Sequence, residues 1–423
     1  MHEKEEEKFF PRILIINGEP ISTATATGIT MRNLFERWPK EALATVHISN
    51  LSPDFSRCSR VWHLNRFDIL GHSTGGEMEP AADGERNSQM RGTSARTGVI
   101  SRFRRGSTVF LECCPFSLSS ELQKWITALS PDVIYTLGAN IRIMDLCVRI
   151  AIQYGIPILP HFMDDWPHTL YATMNYRIPH FLLQRKLRDM LEYSPFCMTI
   201  SPEMSEAYQK RWGKSCYNFM NCVAEEPLAA ISEKLSDPLR LFYIGGLHLN
   251  RWKTLGDIAD QIQASFPLSR NYEMTIFVPR KDWEIYGRFL SEKKIRYGGE
   301  LSFSQVFPMM KRADVLLHVE SFEPKNHEFT KLSISTKLVQ YFMAGRPVLG
   351  VGPEELASLR EVRRSGGGIA CNGDATDALR QLLEPNVRRK FGNNAYHYAC
   401  DTHSSTVVCE DFRKRICRAV GAS

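Results

Sequence analysis

The sequence lacks several patterns that would each assign a function at once. Its eleven cysteines include no Cys-x-x-Cys pair, whereas a zinc site needs four ligands at workable spacing. No run of about 18 apolar residues occurs, so we expect no transmembrane helix. The first ten residues, MHEKEEEKFF, are acidic and contain no apolar signal core, so we expect no secretion. These absences favour a cytoplasmic protein with reduced thiols.

Motifs that bind nucleotide cofactors are absent as well. The first predicted strand, RILIIN, is followed by the loop NGEPISTATATGITMRN, whose only glycines are Gly18 and Gly28. Neither Gly-x-Gly-x-x-Gly nor Gly-x-x-x-x-Gly-Lys-Ser/Thr is present. A loop that ends at Gly28 before a helix can still offer backbone amides to an anion. A flexible connection between strand and helix explains the segment equally well.

What the sequence does contain is a regular alternation of strands and helices. The chain has 423 residues, of which 43% are apolar and 24% are charged, and its net charge is +6. These values are typical of a soluble globular protein with two or three domains. Apolar strands separated by amphipathic helices predict parallel sheets that are covered on both faces. The predicted strands are RILIIN, ATVHIS, DVIYTL, IPILPHF, FCMTIS, LRLFYIGG, MTIFVP, IRYGG, DVLLHVE and PVLGVG.

This pattern predicts an α/β fold with two Rossmann-like, doubly wound domains in series. We expect the first domain at residues 1–225, a linker at 226–238 and the second domain at 239–402. A C-terminal helix within 403–423 is expected to pack back on the first domain. Residues 71–106 are rich in Gly, Ser, Thr and Arg, so we expect a mobile basic insertion there. Since ligands lie beyond the carboxyl ends of parallel strands, we expect a ligand cleft between the two domains.

Two segments of the second domain have features of an anion site. In YIGGLHLNRWKTLGDIADQI a strand ends at Gly245-Gly246, and Arg251 and Lys253 precede a helix predicted to begin near Thr254. Two cations at the positive end of a helix suit a diphosphate, because neither is favoured there without an anion. The alternative is a pair of ordinary surface charges.

The second segment is LSISTKLVQYFMAGRPVLGVG, from Leu332 to Gly352. Ser335 and Thr336 are favoured helix caps, and the amides around them can hold a phosphate if the ligand replaces the cap. Gln340 lies four residues after Thr336 on the same helix face, where it can bind a ribose diol. A capped helix that carries an ordinary polar residue is the alternative.

Several segments in this order resemble glycosyltransferase family 4, which has the GT-B fold. LHVESFEP and STKLVQYFMAGRPVLGVG resemble its nucleotide-sugar segment, and YIGGLHLNRWKTL resembles its first donor-domain motif. FCMTISPEMSEAYQKRWG and FMNCV resemble its entry into the linker. SGGGIACNGDATDALRQLLEP and FGNNAYHYACDTHSS resemble its C-terminal run. The resemblance spans most of the chain except residues 54–106.

The resemblance implies a retaining transferase that moves a sugar from a nucleotide-diphosphate sugar to a saccharide or lipid-linked saccharide, in cell-surface polysaccharide synthesis. It places the acceptor on the first domain and the donor on the second, and it implies no metal ion and no cofactor. No Asp-x-Asp metal motif occurs. Together with the patterns above it assigns donor binding to Gly28, Gly245, Gly246, Arg251, Lys253, Glu328, Ser335, Thr336, Lys337 and Gln340.

The sequence departs from the family at three positions. Of the family's two glutamates, spaced Glu-x7-Glu, the second is Gln340 here and the first is Leu332. Glu320, Glu323 or Glu328 can supply a carboxylate instead, and the sequence does not choose among them. Gly246 replaces the family's arginine after the first glycine. These losses keep two alternatives open: a nucleotide-sugar-binding partner without activity, or a GT-B nucleotide-sugar epimerase. Hydrolysis of the donor without acceptor separates an enzyme from an inactive partner.

The segment IPILPHFMDDWPHTLY carries the catalytic candidates of the first domain. The family often has His or Asp at this point, so we expect His161, Asp164 and Asp165 to face the cleft and orient the acceptor or stabilise positive charge on the sugar. Alternatively, Asp164 and Asp165 cap the next helix.

Basic segments suggest where the protein is located. Six arginines and one acid lie between Gly84 and Gly106, and the helix FLLQRKLRDML is also basic with apolar flanks. We expect a cytoplasmic protein, with peripheral contact to an anionic inner membrane surface as an alternative to solvated charges. Aromatic residues do not alternate with the arginines, so we expect no nucleic-acid partner.

Overall fold

The computed structural model describes residues 9–65, 68, 74–80, 113–172, 176–228, 238–266 and 272–422. The chain divides into two compact units. The first unit contains Met1–Thr199, Ser205–Asn218 and Asp411–Ser423, and the second contains Ile200–Met204 and Phe219–Glu410.

The first unit is built on an eight-stranded sheet with the strand order β4-β3-β2-β1-β5-β6-β7-β8. Neighbouring strands are parallel except β3 and β4, which are antiparallel. The strands are β1 (Ile13–Asn17), β2 (Leu43–His47), β3 (Arg60–His63), β4 (Gly76–Met78), β5 (Val133–Thr136), β6 (Ile158–Phe162), β7 (Cys197–Thr199) and β8 (Cys216–Asn218). The helices are α1 (Ala26–Leu34), α2 (Ser120–Leu129), α3 (Ile141–Tyr154), α4 (Trp166–Thr169), α5 (Arg177–Glu192) and α6 (Pro202–Trp212).

The second unit has a six-stranded, wholly parallel sheet with the order β11-β10-β9-β12-β13-β14. Its strands are β9 (Leu239–Ile244), β10 (Tyr272–Phe277), β11 (Arg296–Gly299), β12 (Val315–Val319), β13 (Val348–Val351) and β14 (Gly368–Cys371). Its helices are α7 (Arg251–Ser265), α8 (Arg280–Glu292), α9 (Phe303–Met310), α10 (Pro324–Thr330), α11 (Lys337–Met343), α12 (Ala357–Ser365), α13 (Thr376–Leu383) and α14 (Pro385–His403). The last helix, α15 (Ser405–Ala419), begins in this unit and belongs to the first unit from Asp411 onward.

The strand order makes both sheets doubly wound, as predicted. The first strand of each unit, β1 or β9, lies beside a strand that comes later in the chain, β5 or β12. At that point the order of the strands reverses, and a crevice opens beyond their carboxyl ends. Every residue of β1, β5, β12 and β13 is buried, which confirms the prediction of parallel sheets covered on both faces.

Some details differ from the sequence prediction. Residues 76–78, inside the predicted insertion 71–106, form the edge strand β4 on β3. Of the remaining predicted insertion, residues 71–73 and 81–106 lie outside the described residues. The predicted linker 226–238 lies outside them at 229–237. Helix α7 begins at Arg251 rather than near Thr254.

The C-terminal residues belong to the core of the first unit. The ring of Phe412, on α15, lies 5.2 Å from that of Phe35 and 6.3 Å from that of Tyr135, both in edge-on contacts. Phe412 is fully buried. Within the described part of the chain, no helix combines the length and apolar character needed to cross a bilayer.

His47 provides a test of how tightly the first sheet is packed. It ends β2, where it pairs in register with Asn17 of β1 and with His63 of β3. Burial, with a further contribution from His63, lowers the pKa of His47 to about 4. The unfolded chain therefore binds the proton more tightly, so stability decreases as the pH falls from 6.5 towards 4. We predict a loss of about 2 kcal/mol by pH 5 from this group.

Calorimetric melting at pH 7.5 and pH 5 measures this effect. The decrease in melting temperature should be smaller in His47→Gln than in the matched variant His397→Gln, because His397 is exposed. Equal decreases in the two variants would contradict the assignment to His47.

Candidate functional site

The crevice of the second unit lies where β9 and β12 end side by side. β9 is followed by Gly245-Gly246, and β12 is followed directly by Glu320. Gly245 has φ +155°, which L side chains rarely adopt. Helices α7 and α11 begin close to these strand ends, so the residues of their first turns border the crevice.

A buried ion pair between Arg251 and Glu320 joins the start of α7 to the end of β12. Nη2 of Arg251 lies 3.1 Å from both carboxylate oxygens, and its Nε donates to Oε2 at 3.3 Å. The side chains are 14% and 3% exposed. Thr254, one turn along α7, donates its hydroxyl to the backbone oxygen of Glu320 at 2.8 Å. The start of α7 therefore contacts both the side chain and the backbone of Glu320.

His318 does not add a second positive charge beside Glu320. Its Nε2 lies 3.5 Å from Oε1 of the carboxylate, but burial lowers the pKa of His318 to about 4. At neutral pH the imidazole is uncharged, so Arg251 is the counterion of Glu320.

Lys337 brings a second cation to the same place. It is the first residue of α11, and its Nζ occupies the space in front of Gly245 that a Cβ there would fill. Burial first, and then repulsion by Arg251, lower the pKa of Lys337 to about 8, while Glu320 acts in the opposite direction. Two cations thus share one carboxylate in front of Gly245, and this arrangement favours an anionic ligand.

Lys253, the predicted partner of Arg251, does not join this cluster. Its side chain is 49% exposed and pairs with Glu323, which also accepts from Nδ2 of Asn250 at 2.6 Å. Lys253 follows Arg251 by two residues on α7, and side chains two residues apart on a helix do not face each other. The sequence indicated Lys337 only because it directly follows Ser335 and Thr336. Its position close to Gly245 depends on the tertiary fold.

Helix α11 is held against the end of β9 by Tyr341. The amide of Ile244 donates to the Tyr341 hydroxyl at 3.2 Å. Thr336 lies at the N-cap position of α11, and its side chain makes no capping hydrogen bond. Gln340, on the next turn, is partly exposed. At this helix start the amides of Ser333 and Leu338 donate to the backbone oxygens of Thr330 and Ser335, each at 3.0 Å, so the phosphate contact expected here stays a prediction.

The structure also separates the three glutamates that the sequence could not rank. Glu320 is 2% exposed and faces Arg251. Glu323 pairs with the partly exposed Lys253, and Glu328 is exposed on α10. Of the three, Glu320 therefore faces the cations of the crevice, whereas Glu328, which the sequence analysis included among the donor-binding residues, does not.

The catalytic candidates of the first unit have different surroundings. His161 is fully buried, and its Nδ1 lies 2.7 Å from the hydroxyl of Tyr135. Asp165 is also buried and accepts from Tyr208 at 2.8 Å. Asp164 is partly exposed and lines a cavity. The structure thus places Asp164 where a ligand can reach it, and it uses His161 and Asp165 in internal hydrogen bonds.

Gly28 is a packing residue in α1 and does not offer its amide to a ligand. Its N–H donates to the side-chain oxygen of Thr25, which caps the helix, at 3.1 Å. A Cβ at this position would lie 2.9 Å from the backbone oxygen of Ser22. The space requirement therefore explains the glycine.

The cavity beside Asp164 lies at the crevice of the first sheet. Its volume is about 230 Å³, and its walls come from the residues that follow β1, β5 and β6. Sequence reasoning missed two of its polar residues, Glu19 and Trp166. The available signal was that Glu19 and Trp166 lie shortly after the predicted strands RILIIN and IPILPHF.

Comparisons with known proteins identify the fold. No family model matches the chain, and no curated protein sequence is significantly similar to it. The chain is similar in structure to HepE from Anabaena, solved in complex with UDP, with 10% identity and a TM-score of 0.62 over 96% of this chain and 100% of that chain.

Two further solved structures agree with this fold. The lipopolysaccharide outer core galactosyltransferase WaaB, in its apo form, is 13% identical with a TM-score of 0.57 over 96% of this chain and 99% of that chain. MnaA from S. aureus, solved with UDP, is 11% identical with a TM-score of 0.52 over 97% of each chain. The chain therefore has the predicted GT-B fold, in which each unit is a doubly wound sheet.

Proposed function

We propose that this protein is a glycosyltransferase that uses a nucleotide-diphosphate sugar as donor. The observation that carries the proposal is the pair of cations, Arg251 and Lys337, beside Glu320 and in front of Gly245. A diphosphate can pair with both cations, and it fits the close approach that a glycine permits. The structural similarity to WaaB and to the UDP complexes of HepE and MnaA supports the assignment.

The finer parts of the proposal come from the resemblance to glycosyltransferase family 4. We propose that transfer retains the anomeric configuration, needs no metal ion or cofactor, and serves cell-surface polysaccharide synthesis in the cytoplasm. In this scheme Arg251 and Lys337 neutralise charge on the leaving diphosphate. Gln340 holds the ribose, and Asp164 orients the acceptor hydroxyl. Proton NMR of the first-formed product tests retention, since an inverted anomeric coupling would contradict it.

Replacing Lys337 by methionine should weaken binding of UDP. The expected loss is about 1.5–3 kcal/mol, the range for hydrogen bonds to a charged group, measured by titration calorimetry. Lys253→Met is the matched control and should leave UDP affinity nearly unchanged, because that side chain pairs with Glu323 at the surface. Equal effects of the two substitutions would contradict the assignment of Lys337.

The pH dependence of UDP affinity gives an independent measure of the same group. With a pKa of about 8 in the unliganded protein, Lys337 loses its proton as the pH rises through 8, so wild-type affinity should fall there. The fall should be absent in Lys337→Met.

Release of UDP from UDP-glucose without acceptor tests catalysis. A chain that binds UDP but releases none from UDP-glucose would be an inactive binding partner.

Replacing Gln340 tests the ribose contact. Gln340→Ala should weaken donor binding by about 1–2 kcal/mol, which raises the donor dissociation constant. Gln340→Glu should be tolerated, because a carboxylate also accepts from a diol. Both variants should melt like the wild type, since Gln340 is partly exposed. If Gln340→Ala leaves donor affinity unchanged, or Gln340→Glu lowers the melting temperature, the side chain is structural.

We also propose that the outer face of α5 contacts an anionic membrane that carries a lipid-linked acceptor. Ile178 is 75% exposed and Phe181 is 66% exposed, and the exposed arginines 177, 185 and 188 lie on the same helix. Apolar side chains among cations suit the headgroup boundary of such a membrane.

Co-sedimentation with vesicles tests this membrane contact. The chain should bind vesicles that contain phosphatidylglycerol and should bind pure phosphatidylcholine poorly. The double substitution Ile178→Ser and Phe181→Ser should lower the bound fraction several-fold, whereas Ile285→Ser, at a similarly exposed position on α8, should not. Equal binding to both kinds of vesicle would contradict the charge argument.

A further inference from the structure

The start of helix α11 is fixed by contacts from outside the helix. The helix has seven residues, and a helix this short is not stable without tertiary contacts. Residues 333–335, which precede it, belong to no helix or strand, and the N-cap residue Thr336 makes no side-chain capping hydrogen bond. The position of Lys337, the first residue of α11, therefore depends on what holds the loop 332–336.

Asn221 supplies one of these contacts. Its Nδ2 donates to the backbone oxygen of Thr336 at 3.1 Å. Asn221 is 1% exposed, so the contact is shielded from water. Because Thr336 directly precedes Lys337, the hydrogen bond acts at the point from which the lysine side chain must reach Gly245.

Ser201 holds the other end of the same loop. Its hydroxyl donates to the backbone oxygen of Leu332 at 2.6 Å and accepts from the amide of Met204 at 2.9 Å. Ser201 is fully buried, and these two bonds define the direction of its hydroxyl group. Ser201 and Asn221 both belong to the second unit. The loop 332–336 is thus fixed at its first and last residues by side chains that are distant in the sequence.

The segment that contains Asn221 also contacts the far end of α11. Gly345, with φ +63°, comes shortly after the helix, and a methyl group of Leu228 occupies the space that a Cβ there would fill. Tyr341 ties the middle of the helix to the end of β9. Since α11 is held at three places, the loss of Asn221 should shift its start without unfolding the helix.

The position of the Lys337 ammonium group can be measured, because its surroundings change its pKa. Burial first, and then Arg251, lower this pKa from 10.5 to about 8, while Glu320 acts in the opposite direction. Burial also lowers the pKa of the two nearby histidines, His248 and His318, so both are uncharged at neutral pH. An ammonium group that moved out of the crevice into water would regain a pKa close to 10.5.

We propose that Asn221 and Ser201 are positioning residues of the proposed donor site, which hold the loop 332–336 so that Lys337 reaches the space in front of Gly245. In this proposal neither residue contacts the ligand, and both act through the lysine. The inference rests on the proposed use of a nucleotide-diphosphate donor.

Titration calorimetry with UDP on the full-length chain tests the proposal. Asn221→Ala should weaken UDP binding about three- to tenfold at pH 7, the effect of one lost hydrogen bond. In a Lys337→Met background the same substitution should cause a further loss on the order of twofold or less, because Asn221 acts through Lys337. An equally large loss in that background would overturn the proposal. Asn218→Ala is the matched control and should leave UDP affinity unchanged, since Asn218 is exposed.

A titration of Lys337 separates positioning from a general loss of stability. Lysine-selective ¹³C NMR, assigned with Lys337→Met, gives the pKa of this group without any ligand. The pKa should be about 8 in the wild type and should rise towards 10.5 in Asn221→Ala. The fall in UDP affinity should then move to higher pH in this variant, because the lysine keeps its proton there. A substitution that only destabilised the fold would lower the melting temperature and leave the pKa of Lys337 unchanged.

Ser201→Ala removes the second contact and leaves Asn221 intact. It should also raise the pKa of Lys337 and weaken UDP binding. Wild-type UDP affinity and an unchanged pKa of Lys337 in both variants would overturn this inference alone. A wild-type chain that binds no UDP would overturn the proposed function, and the NMR titration would still show whether the two residues position Lys337.

Discussion

The buried ion pair between Arg251 and Glu320 is the interaction on which the proposed donor site depends. Taking two charges out of water is costly, and the cost is offset only if the geometry is good and further hydrogen bonds are made. Here the guanidinium reaches both carboxylate oxygens, and Thr254 binds the backbone of Glu320. The pair fixes the first turn of α7 beside the end of β12. It also keeps Arg251 in the crevice. Without Glu320, the buried guanidinium would have no counterion before a ligand binds.

Lys337 makes this pair more than a structural contact. A single arginine and a single glutamate would neutralise each other, and the crevice would have no preference for an anion. The ammonium group in front of Gly245 adds a second cation beside Glu320, and its lowered pKa records the cost of holding it there. Tyr341 keeps Lys337 in this position, because it ties the same helix to the end of β9.

The two units therefore present opposite charge at equivalent places in their sheets. Each site lies beyond the strand ends at the point where the strand order reverses. The second unit has two cations around one carboxylate, while the cavity of the first unit has Glu19 and Asp164 without a cation among its described lining residues. The same backbone architecture thus carries different charge in the two units, since the charge depends on the side chains that follow the strands.

The sequence by itself indicated ten of the fourteen strands in the described residues, their parallel arrangement and the resemblance to a GT-B fold, because apolar runs and helical periodicity are local properties of the chain. It missed β3, β4, β8 and β14, which are short and lie at or near the sheet edges. It also located the segments around Gly245 and Lys337. Tertiary structure decided which side chains meet. Lys253 follows Arg251 by two residues and turns away from it, whereas Lys337 is distant in sequence and comes to Gly245. His161, Asp165 and Gly28 were candidate site residues by their position in the sequence. In the structure they form hydrogen bonds with Tyr135, Tyr208 and Thr25, respectively. Glu320 faces Arg251 because it is buried, and burial depends on residues that are far apart in the sequence.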